Sequence, residues 1–403
     1  IVPNYGWWEA PFYGIGLKVY DMLAGKLGLG ASKWLSRKKT LEKIPTLEPQ
    51  GLKGGVIYYD GQFDDSRLAI NLAQTVHDLG GTPINYAKVT RLLKHGAKTS
   101  GVVVHDLEND QEIELKARVV INATGVFVDS IRTMDEPDAG NLISPSQGVH
   151  LVLDKEFLPG DTAIMVPSTD DGRVLFAVPW HDKVVVGTTD TPVDSVSLEP
   201  RALEEEIDFI LTHAARYMTK DPIPSDVLSV FAGLRPLVKA GEGKNTASLS
   251  RDHTILISQS GLVTITGGKW TTYRKMAKDV IDKAATIAGL ETRPCNTQEL
   301  RIHGWLKNYD PADPMRFYGS DALGIKKLKG MENLGERLHP NLPYSAAEVL
   351  WAAREEMART VEDVLARRTR ALLLDARASM EMAQPVAKLL AAEMNKSKKW
   401  QRE

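Results

Sequence analysis

Thr264-Ile265-Thr266-Gly267-Gly268-Lys269-Trp270-Thr271-Thr272-Tyr273-Arg274-Lys275 is the stretch from which the fold can be read. Leu262 to Thr266 is apolar and β-branched, as a buried strand is. Two glycines then turn the chain. Met276, Val280, Ile281, Ala284 and Ile287 follow at helical spacing. Glycines let a backbone approach whatever lies above the turn. Thr271 and Thr272 stand where the helix opens, so unpaired N–H groups and the positive end of the helix dipole face outward. Such a place suits an anion or an electron-rich ring, and Lys269 adds a full charge. On spacing alone an ordinary strand–turn–helix corner accounts for the pattern and is the simpler account.

Composition narrows the classes. A chain of 403 residues can hold two or three domains with sizeable cores. Its net charge of −2 implies no general attraction to nucleic acid. Cys295 is the one cysteine, so no internal disulfide framework exists, and a reducing compartment fits. No uncharged apolar run is long enough to span a bilayer. No metal site emerges from His, Cys and carboxylate spacing; His77-Asp78 and His181-Asp182 read as isolated surface pairs.

Two further segments precede the Gly267 turn: Phe231-Ala232-Gly233-Leu234-Arg235-Pro236-Leu237 and Ser250-Arg251-Asp252-His253. With Gly267-Gly268-Lys269-Trp270-Thr271-Thr272-Tyr273-Arg274-Lys275 they form an ordered set. The set resembles the FAD-dependent glycerol-3-phosphate dehydrogenases of the D-amino-acid-oxidase-like superfamily. Arg367-Arg368-Thr369-Arg370 resembles that family's helical C-terminal domain, and the resemblance covers essentially the whole chain. It implies an α/β (α+β) architecture: a discontinuous FAD-binding domain of the D-amino-acid-oxidase type, an antiparallel-sheet substrate domain and a helical C-terminal domain. One departure stands out. The G-x-G-x-x-G turn that holds the FAD pyrophosphate is absent: Gly25, Gly28 and Gly30 are wrongly spaced, and Gly241-Glu242-Gly243-Lys244 has Val238 where a P-loop needs its first glycine. The expectation is therefore a fragment lacking the N-terminal dinucleotide-binding unit, and with it an arginine that the family brings to the site.

Residues 1–51 are basic and aromatic, a part of the substrate or cap domain. Ile15 to Leu29 reads as an amphipathic helix with Leu17, Tyr20, Leu23 and Leu27 near one face. A packed helix hairpin with a solvated basic end accounts for this. A membrane-surface patch of Trp and Lys/Arg is the rival, raised by the family's peripheral membrane habit and quinone acceptor. Residues 52–134 read as part of the FAD-binding domain. There Gly54 to Tyr59 is a strand, a helix opens at Asp64-Asp65-Ser66-Arg67, Pro83 to Val89 is a strand, and a hairpin surrounds Asn109-Asp110. Asn122-Ala123-Thr124-Gly125 closes a short strand. Residues 135–232 read as the antiparallel substrate sheet, with Trp180-His181-Asp182-Lys183 as a turn and 198–220 as a helix. Residues 233–294 are the last FAD-binding strand–turn–helix, and 295–403 the helical domain. In the latter Ser345 to Glu348 is a capping box. Val349, Ala353, Met357, Val361, Val364, Leu365 and Leu372 make a stripe, and a last helix follows Pro385. Arg354, Arg359, Arg367, Arg368 and Arg370 read as a solvated face, with domain or dimer contact as the rival.

The resemblance assigns Val89, Thr124, Gly125, Gly233, Gly267, Gly268, Lys269, Trp270 and Thr271 to FAD. It assigns Arg235, Arg251, Lys269 and Thr272 to glycerol 3-phosphate, and His150, with Arg235, to catalysis. Arginine's fixed, planar charge suits a phosphate dianion, and histidine's titration range suits a base for the C2 hydroxyl. A buried ion pair is the plainer account of each arginine, and a hydrogen-bonded core residue that of the histidine. The implied reaction oxidises glycerol 3-phosphate to dihydroxyacetone phosphate by hydride transfer, with quinone as acceptor. The implied place is peripheral, on the inner face of the cytoplasmic membrane. An oxygen-using glycerol-3-phosphate oxidase, an amine or amino-acid oxidase, and a non-catalytic scaffold are the alternatives.

Overall fold

The computed structural model describes the chain except residues 26–27, 168, 240–252, 332 and 403. Strand β1 (Val2–Asn4) leads into helix α1 (Glu9–Ala24). This helix opens six residues before Ile15, since Pro11 is tolerated in a first turn. Strand β2 (Lys33–Ser36) feeds helix α2 (Arg37–Lys43), capped by Ser36 Oγ, which accepts from the Lys39 N–H. Strand β3 (Gly54–Ile57) lies antiparallel between β1 and β2, so its partners come from residues 1–51 and not from 52–134. Helix α3 (Asp65–Asp78) is capped by the Asp64 carboxylate, which accepts from the Arg67 N–H.

Strands β4 (Ala87–His95), β5 (Lys98–Asp106) and β6 (Gln111–Lys116) form an antiparallel meander. Asp110, at φ 54°, turns the expected hairpin. The residues from Pro83 to Tyr86 stay outside β4. Strand β7 (Ile121–Asn122) runs through a single 3-10 turn, Gly125–Phe127, into helix α4 (Val128–Asp135).

The central sheet contains β8 (Ile143–Asp154), β9 (Ile164–Val166), β10 (Leu175–Trp180), β11 (Lys183–Gly187) and β12 (Thr191–Pro192). After helix α5 (Glu204–Ala215), strand β13 (Ser229–Val238) pairs along the other edge of β8. Alternation does the sorting here. Val149, Leu151 and Leu153 of β8 point into a core with Ile44, Leu47 and Ile210, all nearly inaccessible. The residues between them face the opposite way.

Strands β14 (His253–Ile257) and β15 (Val263–Gly267) form a hairpin, and β15 runs parallel to β7. Helix α6 (Tyr273–Ile287) follows. The last third holds α7 (Ala322–Lys329), β16 (Arg337–His339), β17 (Leu342–Ser345), α8 (Ala346–Glu355), α9 (Ala371–Leu374) and α10 (Ala376–Glu393). The capping box is present: Glu348 accepts from both the N–H and the hydroxyl of Ser345, at 2.9 and 3.0 Å.

Three readings need correction. The stripe from Val349 to Leu372 is not one helix: Met357, at φ 56°, ends α8, and Asp363–Arg368 is a π-helical segment. The last helix does not begin after Pro385; α10 begins at Ala376 and carries Pro385 inside it. Arg368 and Arg370 are not solvated, at 7% and 3% exposed. Arg368 is claimed by the nearby Asp363 and Arg370 by the distant Asp64, while Arg354 and Arg367 do stay exposed.

Candidate active site

The site grows from the β8–β13 pair. In an antiparallel ladder directly opposed residues share a face. His150 opposes Phe231, Gly148 opposes Gly233, and Ser146 opposes Arg235. These six side positions form one face, with two glycines in the middle, a histidine and phenylalanine at one end and an arginine at the other. The His150 ring stacks on Phe231, centroids 5.2 Å apart and planes 16° apart. A Cβ at Gly233 would meet nothing within 4 Å, whereas one at Gly148 would strike the Arg235 guanidinium. Glycine at 148 thus lets Arg235 lie flat across the sheet, and glycine at 233 leaves an open, level patch beside it.

Arg235 is held in place. Its Nη1 lies 3.3 Å from Asp190 Oδ1, and its Nη2 donates to Thr188 Oγ1 and the Thr189 carbonyl, each at 3.1 Å. Asp190 is fixed in turn by the Ser146 hydroxyl. Burial, and then the nearby Arg235 charge, push the His150 imidazole down to about 4. His150 is therefore neutral near pH 7.

The Gly267 turn lies beside this face. Strand β13 packs along β15, and the Gly125–Phe127 turn touches both. Strands β7 and β15 run parallel, so their carboxyl ends lie together and each feeds a helix. That is the crevice where α/β folds bind nucleotides. Gly267 and Gly268 both take positive φ, 78° and 73°, which admits glycine at little cost. Trp270–Thr272 makes a 3-10 turn before α6, with Lys269, Thr271 and Thr272 exposed. The Thr272 hydroxyl donates to the Lys269 carbonyl at 2.9 Å and so shapes the turn. His253, opposite Gly267, bonds Asp279 of α6 at 3.0 Å. Thr124 donates to Asn122 Oδ1 at 2.8 Å, which fixes the second turn. The open patch at Gly233, the double-glycine turn and the paired strand ends fit an FAD isoalloxazine ring and its phosphates.

The structure thus gathers Thr124, Gly125, His150, Gly233, Arg235 and the 267–272 turn. Val89 stands apart: it pairs with Val104 on the β4–β6 meander, which reaches this group through α4. Arg251 lies outside the described residues. The reading of the sequence missed a chamber of about 740 Å³ on the His150 face. Phe176, Trp180 and Phe231 form one wall, and the loop from Tyr58 to Asp64 with the first residues of α3 forms another. Arg370 also lines it. Asp64 and Asp65 were legible only as the start of a helix. His181-Asp182 is not a plain surface pair either. The His181 ring packs against Phe317 with centroids 4.3 Å apart, and its Nε2 lies 3.3 Å from Asp64, which Arg370 also meets at 2.8 Å. Burial raises the Asp64 pKa, but the His181 hydrogen bond and the Arg370 charge outweigh it and hold the carboxyl below its usual range.

Comparison with known proteins places this geometry. Residues 14–274 match the family model described as FAD dependent oxidoreductase, and residues 261–401 match that of the C-terminal domain of alpha-glycerophosphate oxidase. The chain is 37% identical to the mitochondrial glycerol-3-phosphate dehydrogenase of Homo sapiens, over 98% of this chain and 58% of that protein. It is 38% identical to the mitochondrial glycerol-3-phosphate dehydrogenase of Arabidopsis thaliana, over 98% of this chain and 68% of that one. The glycerol-3-phosphate dehydrogenase from Bacillus halodurans, solved with FAD, superposes with a TM-score of 0.78 at 31% identity, covering 92% of this chain and 77% of its own. The chain therefore spans somewhat under three fifths of the length of the animal relatives.

Proposed function

The chain belongs to the FAD-dependent oxidoreductase family, and we propose that the full-length protein oxidises sn-glycerol 3-phosphate to dihydroxyacetone phosphate. One observation carries this: a tethered arginine and a neutral histidine share one sheet face, with an open glycine patch between them, beside the Gly267 turn. FAD, when bound, supplies the hydride acceptor for the C2 hydrogen. Gly233, Gly267, Gly268, Lys269, Trp270 and Thr271 would hold its ring end, and Thr124, Gly125 and Val89 its phosphate and adenosine end.

The remaining work falls to this chain's residues. Arg235 pairs with the substrate phosphate, joined by Arg251, and its anchors at Asp190 and Thr188 keep it from following the ligand into solvent. His150 accepts the C2 hydroxyl proton at a ring nitrogen, because its imidazole is unprotonated at working pH. Lys269 and the opening of α6 stabilise negative charge that develops on the ring side, and Thr272 orders the turn that presents them. Electrons leave to a quinone, and the protein sits peripherally on a quinone-containing membrane. Helix α1 supports that placement. Trp8, Phe12, Ile15, Val19, Met22 and Leu23 form one exposed apolar stripe, Leu23 at 79%, and the same first forty residues carry Lys18, Lys33, Arg37, Lys38 and Lys39. Among the described residues no helix is long and apolar enough to cross a membrane.

The test is a visible spectrum of the full-length protein before and after glycerol 3-phosphate. Flavin bands should bleach. Arg235→Ala should raise the concentration needed about 10- to 100-fold, the range for one charged hydrogen-bonding partner. Unchanged half-saturation in that variant would remove Arg235 from the phosphate site.

A further inference from the structure

Behind the Arg235 face lies a set of bonds on the other side of the sheet. Glu204, Glu205 and Glu206 open α5, and of the three only Glu206 is buried, at 3% exposed. Its two oxygens serve different partners. Oε2 accepts from the Leu203 N–H at 3.0 Å and from Gln147 Nε2 at 2.7 Å, which caps the helix and fastens it to β8. Oε1 accepts from the hydroxyls of Thr189 and Thr191, at 2.9 and 2.6 Å. A helix cap needs the first oxygen alone. Burial raises the carboxyl pKa, but these hydrogen bonds outweigh it and hold it below its usual range, so Glu206 is ionised at neutral pH.

The two threonines belong to a bulge. Gly187 of β11 opposes His150, and Thr191 of β12 opposes Gln147. Thr188, Thr189 and Asp190 therefore stand against only Val149 and Gly148. One extra residue re-aims the side chains that follow it. Without it Thr191 would share the His150 face with Gly187. With it Thr191 joins Gln147 on the reverse face, where Glu206 lies. Inside the bulge the Val149 N–H donates to the Thr189 hydroxyl at 3.0 Å, and that hydroxyl donates onward to Glu206. The Thr189 carbonyl accepts from Arg235, and Thr188 and Asp190 on either side engage the same guanidinium. The bulge thus grips Arg235 on the site face and is itself gripped by Glu206 from behind.

We propose that Glu206 is a positioning residue for Arg235: its Oε1 fixes the Thr188–Thr191 bulge, whose acceptors hold the guanidinium flat over Gly148 for the substrate phosphate. The assignment rests on the functional reading above, in which Arg235 meets that phosphate. A guanidinium already held loses little freedom when the dianion arrives, so the anchoring appears as affinity and not as the rate of hydride transfer.

In the full-length protein, Glu206→Gln keeps the size of the side chain and removes its charge. Thr189→Val removes a hydroxyl that Oε1 holds and leaves the α5 cap in place, so it carries the test if Glu206→Gln does not fold. Titration with glycerol 3-phosphate, followed by flavin bleaching, should show half-saturation raised roughly five- to tenfold in Glu206→Gln and about threefold in Thr189→Val, the range for hydrogen bonds of this kind. The limiting rate should stay within about twofold. Glu206→Gln added to Arg235→Ala should cost no further affinity, because one acts through the other. Effects that multiply, or a fall in limiting rate with half-saturation unchanged, would overturn the assignment. A second measurement needs no substrate. Phenylglyoxal modifies arginine, and peptide mass spectrometry reads its rate at Arg235. Both variants should speed that modification about threefold, and rates equal to those of the parent protein would overturn the assignment. The failure of glycerol 3-phosphate to bleach the full-length protein is a separate result. It would remove the functional reading, while the modification rates would still decide whether Glu206 holds Arg235.

Discussion

Helix α1 and the Arg67–Arg370 cluster break the usual rule of burial in opposite directions. On α1 and the turn before it, Trp7, Phe12 and Leu23 are mostly exposed. At the joint between α3 and the last third of the chain, Arg67, Glu356, Asp363, Arg368 and Arg370 are all buried. Exposing a contiguous apolar stripe costs solubility and marks a surface meant to be covered. Burying charges costs desolvation, so each must be paired nearly completely. Most polar atoms of the cluster meet that demand, through partners both near and far in sequence, while Arg67 Nε, Glu356 Oε2 and Arg370 Nε are left without one. Arg67 meets Glu356 and donates to the Arg368 carbonyl at 2.9 Å, with the Tyr318 ring 4.5 Å from its guanidinium. Arg368 donates to Asp363 and to the Glu356 carbonyl, each at 3.0 Å. One region leaves an apolar face that the described residues do not cover, and the other fixes two parts of the chain together.

Stability measurements can break that contrast. Glu356→Ala should have the largest effect, about 3–5 kcal/mol in denaturant unfolding, because it leaves Arg67 buried without its carboxylate. A loss below 1 kcal/mol would mean that the cluster is hydrated and that the contrast with α1 is false. Next comes acid. His150 binds a proton at about 4 when folded and at 6.5 when unfolded, so the unfolded chain holds more protons between those values. Its contribution is fully present above pH 6.5 and is lost as pH falls towards 4, on the order of 2–3 kcal/mol. His150→Phe should flatten that part of the stability–pH curve, and an identical slope in the variant would assign the acid loss to other groups. Ser345→Ala should cost about 1 kcal/mol, since it removes a local capping bond and strands no charge. A cost as large as that of Glu356→Ala would erase the distinction between local and long-range pairing. The smallest effect belongs to α1. Phe12→Ser with Leu23→Ser should shift stability by less than about 0.5 kcal/mol yet abolish flotation with anionic liposomes. Retained flotation would separate the exposed stripe from the membrane.

The same contrast explains what could be read in advance. The Gly267 corner, the Asn109-Asp110 hairpin and the Ser345–Glu348 box are local patterns, complete within about a dozen residues, and each appears where its spacing put it. Arg67 and Glu356 are 289 positions apart, so nothing near either one announces that both are buried. Arg368 looked solvated because charge near a helix end is usually solvated. Helix α10 runs through Pro385 although proline normally ends helices. Of the site, the glycine and arginine segments were legible through resemblance, while the chamber was not. Its walls come from β9, β10, a loop before α3 and a residue near α9, and only the folded sheet brings them together.

Strand β8 holds one further consequence. It carries the core on Val149, Leu151 and Leu153 and the site on Gly148 and His150, in strict alternation, with neighbours on both edges. Substitution at one position changes one face. Deletion of a single residue between Ser146 and His150 would exchange the faces, sending histidine into the hydrocarbon interior and valine over the reaction centre. Random libraries through this segment should therefore yield active clones with many replaced letters but none with a changed count, and a length-altered survivor would have to carry a second, compensating insertion in the same strand.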